Sequence, residues 1–161
     1  MISEGIIWNK GYILKNDILR DISTNNNIID IQDYNFDDEY ESFVRNVYSI
    51  ENMESWKIDK KLAHMLDCVD RKICSLSFEF DESNVLYHPM KKKMVYADLE
   101  NLKMFIREKY KTQVDNYTFD VLFHATDSKE ELIGLQKLLC SYKEYEINYK
   151  DSKILEYVPK R

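Results

Sequence analysis

Apolar residues along the chain fall at two spacings, and the changes between them divide it into strands and helices. Gly5-Ile6-Ile7-Trp8 is a short run of β character, and Ile13, Leu14, Ile18, Leu19 and Ile22 then place one apolar stripe on a helix. The polar turn from Thr24 to Asn27 leads into a second strand, Ile28-Ile29-Asp30-Ile31. Asp37 and Asp38 are candidate caps for the next helix, whose apolar face is Tyr40, Phe43, Val44, Val47 and Tyr48. Trp56, Ile58, Leu62, Met65 and Leu66 mark another amphipathic helix, with Lys57, Lys60 and Lys61 on its wet side. Alternation from Ile73 to Phe80 predicts a third strand.

The stretch from Asp81 to Met94 follows no clear period, and His88 before Pro89 marks an extended turn within it. Leu99, Leu102, Met104, Phe105 and Ile106 predict a helix to about Tyr110, then a polar loop through Asn116. Phe119 to Phe123 reads as a buried strand that ends in His124. Ser128, three residues before Glu131, is a helix N-cap with a capping box, and Leu132, Ile133, Leu135, Leu138 and Leu139 line the helix it starts. Beyond Tyr145 the tail shows weak β alternation at most.

This order contains two βαβ-like halves, and four strands with helices on one face predict an α+β protein with a ferredoxin-like sandwich. The alternative, a doubly wound sheet, needs helices on both faces and a glycine-rich first turn. Trp8-Asn9-Lys10-Gly11 does not supply that turn. A length of 161 residues fits a single domain.

Composition narrows the chemistry. Hydrophobic residues are 44% and charged residues 32%, a globular balance, while 3 Gly and 2 Pro argue against long linkers or a glycine-rich phosphate loop. No apolar run approaches the roughly 18 residues needed to span a bilayer, and the start lacks a signal-peptide pattern, so a cytoplasmic protein without a membrane partner is expected. A net charge of −6 disfavours nucleic acid as a partner. Cys68, Cys74 and Cys140 lack zinc-ligand spacing and read as reduced thiols, and no metal site is expected from protein ligands alone. The exception to the acidic balance is basic: Lys91-Lys92-Lys93, then Lys103, Arg107, Lys109 and Lys111. Such a run forms either a solvated face or a holder for phosphates. The 12 tyrosines and 7 phenylalanines leave room for an exposed assembly surface and a homo-oligomer.

Among three histidines, His124 stands out. At a strand end before a helix start it faces a site suited to anions, where the ring stays neutral and nucleophilic near pH 7. The same position also suits a polar histidine bonded to its loop. His64, on a helix without a second ligand at helical spacing, and His88, in a turn, read as structural.

His124-Ala125-Thr126-Asp127, with the order of elements, resembles nucleoside diphosphate kinase and its strand-end His-Gly-Ser-Asp motif. The resemblance covers residues 5–142 and leaves 143–161 as a C-terminal extension. It implies a ferredoxin-like core and transfer of a γ-phosphate through a phosphohistidine at His124, with Thr126 and Asp127 as motif support. Ile6-Ile7-Trp8-Asn9-Lys10 resembles the first strand, ending in a phosphate-contacting lysine at Lys10. Tyr48 falls near a family tyrosine beside the histidine, and Arg107 near a phosphate-binding arginine. Lys10 is followed by Gly11 and Tyr12 rather than proline and an acid, Val121 stands where the family has asparagine, and the loop at 84–95 carries lysines instead of an arginine.

The implied reaction is ping-pong phosphoryl transfer, with Lys10, Arg107 and Lys92 or its neighbours holding phosphates and Mg2+ arriving with the bound nucleotide. Asp127 either caps the following helix, the favoured reading, or orients the site. Tyr48 or Phe43 stacks on a base or packs in the core. Two alternatives remain open: a non-catalytic nucleotide-binding or protein-interaction module on the same scaffold, and an enzyme for another phosphorylated metabolite.

Overall fold

Strand β1 (Ile2–Ile7) is buried from Ser3 onward, the mark of a strand covered on both faces. Neighbouring residues go to different cores: Ile6 joins one apolar cluster and Ile7 the other. The computed structural model describes residues 1–115, 117 and 120–148. After β1 come α1 (Lys15–Asn25), β2 (Ile28–Asn35), α2 (Tyr40–Ile50), α3 (Ser55–Met65) and β3 (Lys72–Glu79). These are followed by β4 (Val85–His88), β5 (Lys93–Tyr96), α4 (Ala97–Tyr110), β6 (Phe123–Ala125) and α5 (Lys129–Ser141).

The main sheet has the order β2-β3-β1-β6, with every neighbouring pair antiparallel. A doubly wound parallel sheet is thereby excluded. Helices nevertheless cover both faces, which corrects the expectation of helices on one face only. On one side Ile18, Leu19 and Ile22 of α1 and Leu99 and Ile106 of α4 pack with Ile7, Leu76, Phe78 and Phe123. On the other, α2, α3 and α5 close over Ile6, Trp8, Tyr34 and Phe36 through Phe43, Tyr48, Leu62 and Leu135. The second cover is needed because Ile6, Trp8 and Ile73 would otherwise face water.

Several local expectations change. Residues Asn9–Leu14 form a 3-10 turn before α1, and Ile13 is 89% exposed rather than part of the buried stripe. Gly11 in that turn is held against the Leu122 side chain, where a Cβ would collide. Asp37 and Asp38 lie in a 3-10 turn, Asp37 at φ 48°, and α2 starts with no side-chain cap. The aperiodic 81–94 stretch contains β4 and leads into β5, and the two pair as an antiparallel hairpin whose largely exposed residues leave no strand period to read.

Phe119 and Asn116 lie outside the described residues. The short β6 makes His124 the middle residue of the strand rather than its end. Its pairing with β1 continues one residue each way, as Trp8 N–H donates to the Leu122 carbonyl and Thr126 N–H to the Glu4 carbonyl, both at 3.0 Å. Of the C-terminal extension, Glu146 bridges Tyr34 and Ile147 N–H donates to the Asp33 carbonyl, adding a short piece to the β2 edge. Residues 149–161 lie outside the described residues.

Candidate functional site around His124

His124 stands opposite Ile6 in the β1–β6 ladder and shares its face of the sheet, the one under α2, α3 and α5. Its ring packs 6.2 Å from Trp8 and 5.6 Å from Tyr48, the latter edge-on at 79°. Only 7% of the residue is exposed. Nε2 lies 3.4 Å from the Glu51 carboxylate, at the C-terminal end of α2. Burial, reinforced by Lys103 and Arg107 and opposed by Asp120 and Asp127, pushes the imidazole pKa down to about 3. The ring is neutral at pH 7. Burial also raises the pKa of Glu51.

Beyond the strand, Ser128 is the N-cap of α5, its hydroxyl accepting from Glu131 N–H at 3.2 Å. Glu131 in turn accepts from Asp127 N–H at 2.9 Å, one residue earlier than a standard capping box. With Glu130 and Glu131 in its first turn, α5 supplies its own negative charge at the end that the sequence offers to an external anion.

Asp127 is not the cap, which corrects the favoured reading of this residue. Its carboxylate pairs with Lys103 of α4 and with Lys91 at 2.9 Å, and Lys103 is 2% exposed. These two ammonium groups, chiefly Lys103, overcome the desolvation of Asp127 and hold its pKa well below the usual carboxylate range. Glu100 completes the cluster at 3.0 Å from Lys103 and 3.4 Å from Lys91. Asp127 thus ties the β4–β5 hairpin and α4 to the start of α5.

The other sequence candidates divide. Tyr48 does meet His124, but at 2% exposure, packed against both Trp8 and the imidazole, it forms a wall, not an open stacking platform. Phe43 is likewise a core residue, stacked 4.1 Å from Phe36. Arg107 reaches the histidine strand, donating to the Phe123 carbonyl at 3.2 Å and pairing with Asp120. Lys10 pairs instead with Asp67, beyond α3, at 2.5 Å. Lys92 occupies the hairpin turn at φ 56°, donating its N–H to the His88 carbonyl, while Lys91 and Lys93 on either side face Asp127. Thr126 is buried and clamps β6 to β1, with its hydroxyl accepting from Glu4 N–H at 3.0 Å. His88 braces the hairpin by accepting from Lys91 N–H at 3.1 Å.

The pattern of the chain hid Glu51, Lys61, Asp120 and Trp8 as neighbours of this site. Glu51 follows the last turn of a helix and Lys61 sits on an apparently wet helix face, so neither has a local signal. Trp8 is fully buried with its indole Nε1 unpartnered among the described residues, and Arg107 Nε is equally unpartnered. No cluster of three His, Cys, Asp or Glu residues among the described residues is placed to hold a metal ion. No helix among them is long and apolar enough to cross a membrane. Neither protein-family models nor curated proteins yield a match to this chain.

Proposed function

We propose that this chain is a phosphotransferase domain of nucleoside diphosphate kinase type, in which His124 carries the phosphoryl group between a nucleoside triphosphate and an acceptor. The observation that carries the reading is a neutral imidazole, buried in the strand next to β1, with one nitrogen facing a carboxylate and with Arg107 and Lys103 nearby. The ferredoxin-like reading draws support from the antiparallel order β2-β3-β1-β6, with α1 and α4 on one face as the two crossover helices.

Nε2 faces the Glu51 carboxyl group at 3.4 Å, and Nδ1, the other ring nitrogen, is the one assigned to attack in this scheme. Nδ1 attacks the terminal phosphorus, an N–P bond forms, and the P–O bond to the departing diphosphate breaks. An acceptor phosphate oxygen then attacks the same phosphorus, and the imidazole leaves unchanged. Arg107 neutralises charge on the transferring group. Magnesium would arrive with the nucleotide and would supply charge neutralisation on its phosphates, since Asp120 and Asp127 are already paired with cations.

One observation favours a second reading, a non-catalytic nucleotide-binding or protein-interaction module. Lys10, Lys91, Lys103 and Arg107 each have a carboxylate partner already. A phosphate entering there competes with an internal anion.

The two readings separate on incubation of the pure protein with γ-labelled ATP or GTP and magnesium. Acid-labile, base-stable protein label that disappears in His124→Ala is the expected result, and an acceptor screen then distinguishes nucleoside diphosphates from other phosphorylated metabolites. Wild-type protein that takes no label while binding nucleotide in calorimetry would support the module instead.

A further inference from the structure

Two basic side chains reach Asp120 from helices on opposite faces of the sheet. Lys61, on α3, donates from Nζ to the Asp120 carbonyl at 2.8 Å, and its ammonium stands 5.3 Å from the centre of the Tyr48 ring that abuts His124. Arg107, on α4, pairs with the Asp120 carboxylate, and its buried Nε has no partner among the described residues.

Lys61 differs from the other cations gathered at His124. Lys91, Lys103 and Arg107 each have a carboxylate within ion-pair distance, whereas Lys61 has none among the described residues. An ammonium carries three donors, and the bond to Asp120 uses one of them on a neutral carbonyl. Burial is the main cause that lowers its pKa, opposed by the more distant Asp120 and Glu51 charges. A half-buried ammonium without a contact counter-ion is a cost that an anion relieves.

We infer that Lys61 and Arg107 clamp the terminal phosphates of the nucleotide beside β6, and that Lys61, rather than Lys10 or Lys92, is the lysine that positions the donor for His124. The inference rests on the phosphotransferase reading for its ligand. Lys10 is spent on Asp67, and Lys92 sits in the tip of the hairpin, where its neighbours Lys91 and Lys93 are the lysines that face Asp127. Lys61 and Arg107 instead bracket the residue that leads into the histidine strand, one with spare ammonium donors and the other with an orphaned guanidinium N–H.

The test compares Lys61→Ala, Lys61→Met, Lys61→Arg and His124→Ala, each first checked for a native circular dichroism spectrum. Two quantities are read: the ATP concentration giving half-maximal label, and the affinity for inorganic tripolyphosphate by calorimetry. Loss of one charge-assisted contact raises both constants roughly 10- to 100-fold in Lys61→Ala and Lys61→Met. Lys61→Arg recovers most of the affinity. His124→Ala takes no label and keeps tripolyphosphate binding. Unchanged constants in a folded Lys61 variant would overturn the clamp and leave phosphotransfer standing. Tripolyphosphate binding that depends on Lys61 in a wild-type protein that takes no label would keep the anion clamp and remove phosphotransfer. Wild-type protein that neither takes label nor binds tripolyphosphate would overturn both.

Discussion

The two faces of the central sheet bury different chemistry. Under α1 and α4 the contacts are largely aliphatic, with Ile7, Ile18, Ile22, Leu76, Leu99 and Ile106 closing against one another. Under α2, α3 and α5 the packing is aromatic: Trp8 lies against Tyr40, Phe43 and Tyr48, and Phe36 stacks on Tyr34 and Phe43. Aromatic side chains bring polar atoms into the interior, and those atoms need partners. At one end the need is met, because Tyr40 O–H donates to Asn9 Oδ1 at 2.7 Å while Asn9 Nδ2 donates to the Met65 and Asp70 carbonyls, both at 2.7 Å. Beside His124 the Trp8 indole N–H has no partner among the described residues. Both faces bury charge, with Lys103 on α4 and the Lys15–Asp33 pair at the start of α1, but His124 and the Trp8 indole N–H lie together on the aromatic face.

The largest effect that sharpens this contrast is on packing. Phe43→Ala removes a ring that contacts both Phe36 and Trp8 and is expected to cost about 3 to 5 kcal/mol, against about 1 kcal/mol for Ile22→Val on the aliphatic face. Denaturant titration of the two variants measures the difference, and equal costs would break the comparison.

Acid sensitivity comes next. Because the His124 pKa is depressed to about 3 in the folded protein, the unfolded chain binds the extra proton between there and the ordinary value of 6.5. The contribution of the neutral ring is complete above pH 6.5 and is lost as the pH falls, at up to about 1.4 kcal/mol per pH unit. Glu51, with a raised pKa, acts in the opposite direction at the lower end of this range. Unfolding free energies at pH 6.5 and 5 should therefore diverge by up to about 2 kcal/mol in wild type, and His124→Asn should flatten that dependence. A slope that survives the substitution would place the titrating group elsewhere.

The smallest effect tests the paired end of the aromatic face. Tyr40→Phe leaves Asn9 Oδ1 without its donor and is expected to cost about 1 to 2 kcal/mol by thermal or denaturant unfolding, with no change in His124 label. A loss of label in this variant would join the two ends of the face into one functional unit.

Apolar periodicity by itself determined much of the element order. The Tyr40, Phe43, Val44, Val47 and Tyr48 stripe, the Ile73–Phe80 alternation and the Ser128 cap each have local causes, so each is legible without the fold. It also singled out His124, because a polar ring at the end of an apolar run stands out locally. The hairpin escaped, since β4 and β5 are paired mostly with each other and bury little, and a strand without a buried face carries no period.

Only the tertiary structure decided what surrounds the histidine. Glu51, Lys61, Lys103, Arg107 and Asp120 come from the end of α2, from α3, from α4 and from the segment before β6. Charge pairing depends on distance through space, and a lysine in a sequence carries no mark of whether a carboxylate waits beside it. Asp67 takes Lys10, Asp127 takes Lys91 and Lys103, and Lys61 reaches a backbone carbonyl instead. The sheet order brings these groups together, and the order in turn follows from burying both faces of β1, where each residue must satisfy a different core.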